Sequence, residues 1–127
     1  MPDDDDLGLR VLVVGPCAAG KTTLVNNLRP RGYSIRSCAQ EHSHASKLWQ
    51  RSLPDVLIFL DVELPAISRR QNRSDWTREH LDKQRRRLNH ARSHCDFYLR
   101  TDDLAPTQVA EAVDVFLRGR GIVPAGG

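Results

Sequence analysis

The residues best suited to chemistry lie at 15–22 and read Gly-Pro-Cys-Ala-Ala-Gly-Lys-Thr. A glycine, four free positions and Gly-Lys-Thr form the pattern of a loop that wraps the phosphates of a nucleotide. The glycines let the backbone turn tightly, and the N–H groups before the following helix form an anion-binding nest. The residues expected to contact the bound nucleotide are Gly15, Pro16, Cys17, Ala18, Ala19, Gly20, Lys21, Thr22 and Thr23.

Two side chains of this loop have specific roles in the predicted chemistry. Lys21 is expected to contact the β- and γ-phosphates as a point charge, and so to act in both binding and catalysis. The hydroxyl of Thr22 is expected to coordinate Mg²⁺. Cys17 is interpreted as a small residue that the loop tolerates. No Asn-Lys-x-Asp sequence for guanine is present, so the predicted cofactors are ATP and Mg²⁺.

Two acidic residues compete for the metal and for the reacting groups. Asp61 ends an apolar run at 55–62, the position of a carboxylate that holds Mg²⁺. Its alternative role is that of an ordinary acid before the next helix. Glu41 can serve as a metal ligand or a general base, or it is a solvated loop acid. Because Mg²⁺ prefers hard oxygen ligands, a carboxylate is expected at the metal.

A cluster of arginines follows the second apolar run. Arg69 and Arg73 are expected to neutralise the transferring phosphoryl group, and Arg70 to bind the nucleotide, within an arginine lid over residues 69–80. The alternative is a solvated basic helix face. Nucleic-acid binding through Arg85–Arg87 is disfavoured, because acidic residues interrupt the basic segment.

The histidines and cysteines show no metal-ligand spacing. His42 and His44 are separated by one residue, but no further His or Cys lies near them in sequence. We therefore interpret them as loop or acceptor-site histidines rather than zinc ligands. Cys17, Cys38 and Cys95 are an odd number, which indicates free thiols in a reducing cytoplasm.

The elements that must position these residues alternate between strands and helices. The sequence predicts strands at 9–14, 33–38, 55–62 and 96–99, and helices at 23–28, 65–70, 75–94 and from 106 onward. Ser74 is the predicted N-cap of the third helix. This alternation predicts an α/β fold with three layers. Its central sheet has about four parallel strands in the order 2-1-3-4, and helices cover both faces.

Length and composition favour a single nucleotide-binding domain over residues 1–127. Residues 1–7 are expected to form an acidic tail, and residues 120–127 a loose C-terminus. The net charge is +3, and no apolar run is long enough to span a membrane. We therefore expect a cytoplasmic protein without a membrane partner.

The chain resembles thymidylate kinase-like P-loop kinases from residue 54 onward. The motifs that carry the resemblance are Pro54-Asp55, Leu60-Asp61-Val62, Arg69-Arg70, the arginines from Arg73 to Arg87, the strand Asp96 to Leu99 and the helix Pro106 to Arg118. Residues 39–43 and 49–51, Ala-Gln-Glu-His-Ser and Trp-Gln-Arg, resemble a compact group of uncharacterised bacterial P-loop proteins. The resemblance implies a P-loop NTPase fold and phosphoryl transfer from ATP.

The chain departs from those kinases at the acceptor side. The Asp-Arg pair that ends their strand beside the P-loop is absent, and Glu41 is the nearest replacement. About thirty residues separate Pro30 from Asp61, too few for the insert that holds an acceptor nucleotide. The sequence therefore predicts kinase-like transfer to an unknown small acceptor or slow ATP hydrolysis. The alternative is a non-catalytic nucleotide-dependent switch that binds a protein partner.

Overall fold

The computed structural model describes residues 10–71 and 76–125, in which four strands alternate with helices. The strands are Val11–Val14 (β1), Ile35–Ser37 (β2), Val56–Asp61 (β3) and Phe97–Arg100 (β4). The α-helices are Lys21–Leu28 (α1), Leu64–Gln71 (α2), Arg78–His94 (α3) and Pro106–Gly119 (α4). Short 3₁₀ turns cover Arg29–Arg31, Gln40–His42 and Leu48–Ser52.

The strands form one parallel sheet in the order β2-β1-β3-β4, which confirms the predicted α/β class and strand order. Val13 of β1 pairs with Ser37 on one side and with Ile58 on the other. The carboxyl ends of parallel strands share one edge of a sheet. The loop after β1, the turn after β2, the end of β3 and the loop after β4 therefore lie along the same edge.

Helices cover both faces of this sheet. Successive residues of a strand point to opposite faces, and the two central strands supply both hydrophobic clusters. One cluster contains Val11, Val13, Ile58 and Leu60 with residues of α1 and α4 such as Leu24, Leu28, Val113 and Leu117. The other contains Leu12, Val14, Leu57 and Phe59 with Trp49, Leu88 and Ala91. Burial on both faces explains why β1 and β3 are continuous apolar runs.

Helix α3 begins later than the sequence predicts. Its N-cap is Thr77, whose hydroxyl accepts a hydrogen bond from the His80 N–H at 3.3 Å. The predicted cap, Ser74, lies outside the described residues. The predicted start of the helix near residue 75 was wrong, because the helix begins at Arg78. Thr77 caps it by the same side-chain chemistry that was expected of Ser74.

The described part of the C-terminal segment is packed rather than loose. Ile122 is buried in the core beside α4, and the N–H of Ala125 donates to the carbonyl of Gly32 at 3.0 Å. This differs from the expectation for residues 120–127. The predicted acidic tail at 1–7, the catalytic candidate Arg73 and residues 126–127 lie outside the described residues.

Candidate functional site

The loop at 15–20 is held against the end of β3 by a close backbone approach. Gly15 has φ +155°, and a Cβ on it would lie 2.0 Å from the carbonyl oxygen of Leu60, so only glycine fits. Gly20 precedes α1 with φ +102° in the left-handed region, which glycine adopts without strain. The loop therefore delivers the chain directly into the first turn of α1. Thr22 and Thr23 are exposed on that turn.

Lys21 bends back over this loop. Its Nζ donates to the carbonyl oxygens of Gly15 at 2.6 Å and Pro16 at 3.0 Å. It also forms an ion pair with Glu41, with Nζ and Oε2 2.7 Å apart. The two side chains are only 12% and 5% exposed, so the pair is shielded from bulk water. The structure thus brings together two residues predicted for one catalytic site.

Glu41 is positioned by the turn that follows β2. The buried Gln40 fixes this turn, because its side chain donates to the Ala45 carbonyl at 2.8 Å and accepts from the Trp49 N–H at 3.0 Å. The Oε2 of Glu41 contacts Lys21, whereas its Oε1 is buried without a hydrogen-bond partner among the described residues. A buried carboxylate oxygen without a donor is unfavourable. This atom is therefore free to accept a donor or to bind a cation.

Asp61 has a different environment. Its carboxylate accepts from the Tyr98 hydroxyl at 2.6 Å, from the Val62 N–H at 2.9 Å and from Arg85 at 3.3 Å. Burial, followed by the hydrogen bond to Asp61, raises the pKa of Tyr98 to about 12. Both oxygens of Asp61 thus have donors. The strand that leads into the loop, β1, lies between β2 and β3. Glu41 follows β2 and Asp61 ends β3, so the two acids come from strands on opposite sides of β1.

The predicted lid arginines Arg69 and Arg70 contact the loop after β4. Arg70 donates to the Thr101 hydroxyl at 3.0 Å, to the Thr101 carbonyl and to the Ala18 carbonyl at 2.8 Å. Arg69 donates to the Asp102 carbonyl at 3.2 Å. Arg70 therefore ties the end of α2 to the backbone of the loop at 15–20, whereas Arg69 contacts the loop after β4.

A cavity of about 490 Å³ opens beside the loop. It is lined by Ala18, Ala19, Gly20, Thr23, Leu24, Arg70, Gln71, Thr101, Leu104, Pro106 and Val109. Most of this surface is apolar, whereas Arg70 and Gln71 supply polar groups. The Oε1 of Gln71 is buried without a hydrogen-bond partner among the described residues. The cavity thus combines apolar walls with a few polar side chains, as small-molecule sites commonly do.

Gln84 of α3 is a site residue that the sequence did not reveal. Its Oε1 accepts from the Cys17 N–H at 3.0 Å, and its Nε2 donates to the Cys17 Sγ at 3.1 Å. Gln84 is 7% exposed and shares the buried face of α3 with Leu81, Leu88 and Ala91. A polar residue in an otherwise apolar helical stripe was the available signal.

Cys17 also contacts the turn that carries Glu41. Its Sγ lies 3.6 Å from the Nε2 of His42. One ligand atom each from Cys17, Glu41 and His42 lies within 4.8 Å of the others. The neighbouring His44 instead faces Arg87, which also donates to the Glu41 carbonyl at 3.4 Å. Of the two histidines, His42 is thus the one that joins a cluster with the loop.

A basic depression lies on the far side of this turn. It has a volume of about 300 Å³ and is lined by His44, Ser46, Lys83, Arg86 and Arg87. Arg85, by contrast, faces the sheet and pairs with Glu63 at 2.8 Å. That hydrogen bond holds the pKa of Glu63 below its ordinary value. The predicted basic segment is therefore divided between a structural arginine and an open cationic surface.

Comparison with known proteins finds no matching family model and no matching curated protein. None of the helices within 10–71 and 76–125 has the length and apolar composition needed to cross a membrane. The thiols of Cys17, Cys38 and Cys95 are unpaired by disulfides.

Proposed function

We propose that the protein binds Mg-ATP at residues 15–23 and acts on its γ-phosphoryl group, by transfer to an acceptor or by slow hydrolysis. The observation that carries this proposal is the contact between Lys21 and Glu41. Lys21 begins the helix that follows a glycine-bounded loop, and Glu41 lies in the turn after β2. A lysine, a carboxylate and free helix N–H groups are the parts that phosphoryl transfer requires at one place.

The nucleotide phosphates would replace the contacts that Lys21 makes with its own loop. Its two bonds to backbone carbonyls satisfy a cation that has no phosphate to bind. When Lys21 moves to the β- and γ-phosphates, Glu41 becomes available for a metal-bound water or for an attacking hydroxyl. Thr22 supplies the first hard ligand of Mg²⁺. Of the two predicted carboxylates we assign this role to Glu41, because the oxygens of Asp61 already have donors.

The cavity of about 490 Å³ is the proposed nucleobase site. Its walls include the loop after β4 and the first turn of α1, which flank the phosphate loop. The described residues that line it include no carboxylate, whereas guanine recognition commonly uses an acid on the ring N–H groups. Gln71 lines the cavity, and its Oε1 is buried without a hydrogen-bond partner among the described residues. Once this side chain turns toward the base, its Oε1 would accept a hydrogen bond from the 6-amino group of adenine. Arg70 lines this cavity, and Arg69 and Arg73 are the other arginines of the proposed lid, of which Arg73 lies outside the described residues.

A nucleotide-dependent switch that binds a partner is the second candidate, and the acceptor side favours it. Residues 38–55 contain two short 3₁₀ turns, and Gln40, Trp49 and His90 pack them against α3. Beside them lies the open basic depression, whose cationic lining suits an acidic surface of a partner. A cytoplasmic location, inferred from the free thiols, fits either function.

The test is calorimetric titration of Mg-ATP into the native protein, Lys21→Ala and Lys47→Ala. Lys47 is exposed on the chain before a 3₁₀ turn, so its removal changes the net charge equally. Lys21→Ala loses two charge-assisted bonds to phosphate, so we expect its affinity for Mg-ATP to fall by about 100-fold. The affinity of Lys47→Ala should be unchanged. Equal affinity in all three proteins would reject the phosphate loop. Phosphate release by the native protein then separates a hydrolase from a switch.

A further inference from the structure

We propose that Cys17, His42 and Glu41 form a binding site for one transition-metal ion of the zinc type. These residues come from the phosphate loop and from the turn after β2, 24 and 25 positions apart in sequence. The site shares Glu41 with the proposed Mg²⁺ chemistry, but its thiol and imidazole donors favour a softer ion than Mg²⁺. Its test does not depend on the proposed function, because the metal is added without a nucleotide.

The distances match a tetrahedral metal centre. Two ligand atoms on one tetrahedral zinc, with Zn–S and Zn–N bonds of ordinary length, lie roughly 3.5 Å apart. The Cys17 Sγ and the His42 Nε2 are 3.6 Å apart, and the His42 Nε2 is 3.8 Å from the Glu41 Oε2. These two distances are close to the spacing that a bound ion requires, and all three ligand atoms lie within 4.8 Å of one another.

The buried oxygen of Glu41 provides an independent sign of a missing ligand. Only 5% of the Glu41 side chain is exposed, and its Oε1 has no hydrogen-bond partner among the described residues. A cation that the carboxylate binds through both oxygens would satisfy Oε1. The Oε2, which lies 3.8 Å from the His42 Nε2, also contacts Lys21 at 2.7 Å.

Gln84 supports Cys17 as a metal ligand. Its Nε2 donates to the Cys17 Sγ at 3.1 Å, and its Oε1 accepts from the backbone of the same residue. Hydrogen bonds to a ligating group orient it and stabilise its charge. Metal binding displaces the thiol proton to solvent, so the thiolate replaces the S–H group at this position. The three protein ligands leave a fourth position for water or a phosphate oxygen.

The experiment titrates Co²⁺ into the reduced, nucleotide-free protein and records its absorption spectrum. Cobalt is the probe because it takes tetrahedral zinc sites and shows a thiolate charge-transfer band in the near ultraviolet. We expect this band together with visible bands of a tetrahedral ion. Zn²⁺ should abolish both in stoichiometric amount, whereas excess Mg²⁺ should not.

Matched variants locate the ion. Cys17→Ser should abolish the charge-transfer band, and His42→Gln should weaken Co²⁺ binding by at least about 100-fold. Cys38→Ser, Cys95→Ser and His44→Gln should bind as the native protein does. Because His42 is 59% exposed at its side chain, His42→Gln tests the site even if Cys17→Ser does not fold. Absence of the band, its persistence in Cys17→Ser, or unchanged affinity in His42→Gln would overturn the proposal.

Discussion

The Nζ of Lys21 lies 2.7 Å from the Oε2 of Glu41, and the two residues are 20 positions apart in the chain. The contact joins the start of α1, directly after the loop at 15–20, to the turn after β2. Removing either partner alone leaves a buried charge without its counter-ion, which is destabilising. A phosphate that draws Lys21 away creates the same imbalance at Glu41. A divalent cation that arrives with the nucleotide would correct it.

Glu41→Gln should separate nucleotide binding from turnover. The substitution keeps the shape of the side chain and releases Lys21 from its ion pair, so we expect ATP affinity to hold within a few-fold. Phosphate release or transfer should fall by roughly 100-fold, a typical loss when a general base is removed. Single-turnover phosphate release and calorimetry on the same samples measure the two effects.

Asp61→Asn is the matched comparison for Glu41→Gln. Because Asp61 accepts from Tyr98 and Arg85, we expect this change to lower the free energy of unfolding by about 1–3 kcal/mol. Urea unfolding measures that loss, and turnover per folded molecule should change little. If Asp61→Asn abolishes turnover while Glu41→Gln preserves it, Asp61 is the catalytic carboxylate and our assignment is wrong.

Gln84→Ala should weaken ATP binding although Gln84 does not belong to the loop. The substitution removes the acceptor of the Cys17 N–H, so the loop loses a bond that fixes its backbone before phosphate arrives. We expect about a 10-fold loss of ATP affinity, the equivalent of one hydrogen bond of about 1.4 kcal/mol. Asn89→Ala, an exposed position of the same helix, is the control. Equal affinities in both variants would show that Gln84 does not position the loop.

The sequence predicted the fold well because its strongest signals are local or periodic. The apolar runs of β1 and β3 and the fixed spacing of residues 15–22 were sufficient for strand, loop and helix. The strand order followed from the alternation of strands and helices and from right-handed connections. The predicted start of α3 was too early, because the prediction used Ser74 as its cap, whereas Thr77, which has the same capping chemistry, is the N-cap.

The site was only partly predictable because its contacts are distant in sequence. Gln84 is 67 residues from Cys17, and its role becomes visible only when α3 packs against the loop. His42 resembled a loop histidine since its neighbour in space, Cys17, lies 25 residues earlier. Arg69 was expected at the transferring phosphoryl group and Arg70 at the nucleotide. In the structure Arg70 contacts Ala18 of the loop and Thr101, whereas Arg69 contacts Asp102.

Asp114→Ala should lower stability in a pH-dependent way. Tyr33 donates to Asp114 at 2.5 Å, and this bond, followed by Arg118, holds the pKa of Asp114 below its ordinary value of 3.8. An acid whose pKa is lower in the folded than in the unfolded protein stabilises the fold at pH values above its unfolded-state pKa. That contribution is lost as the pH falls from about 4 through the folded-state pKa. We expect a loss of about 1–3 kcal/mol at pH 7, because the buried Tyr33 hydroxyl loses its acceptor.

Urea unfolding at pH 7 and at pH 3 measures this dependence. The difference between Asp114→Ala and the native protein should narrow at pH 3, where native Asp114 begins to be protonated. Glu111→Ala, exposed on the same helix, should show no comparable difference at either pH. A constant difference at both pH values would mean that packing, rather than charge, accounts for the loss.

Gln71→Leu should weaken ATP binding without affecting the binding of inorganic tripolyphosphate. Gln71 lines the cavity beside the loop, and its Oε1 is buried without a hydrogen-bond partner among the described residues. We expect this side chain to turn toward the base and to accept from the adenine 6-amino group. Guanine carries an acceptor at its 6-position, so it cannot make this bond. We expect a loss of about 2- to 12-fold in ATP affinity, the range of one net hydrogen bond.

Tripolyphosphate reports on the phosphate loop alone, so its affinity for Gln71→Leu should be unchanged. Gln50→Leu, at an exposed position, should bind both ligands as the native protein does. Calorimetry with ATP, GTP and tripolyphosphate decides the question. Equal losses for ATP and tripolyphosphate would place the effect in the loop rather than in the base site, and tighter binding of GTP than ATP by the native protein would contradict the adenine assignment.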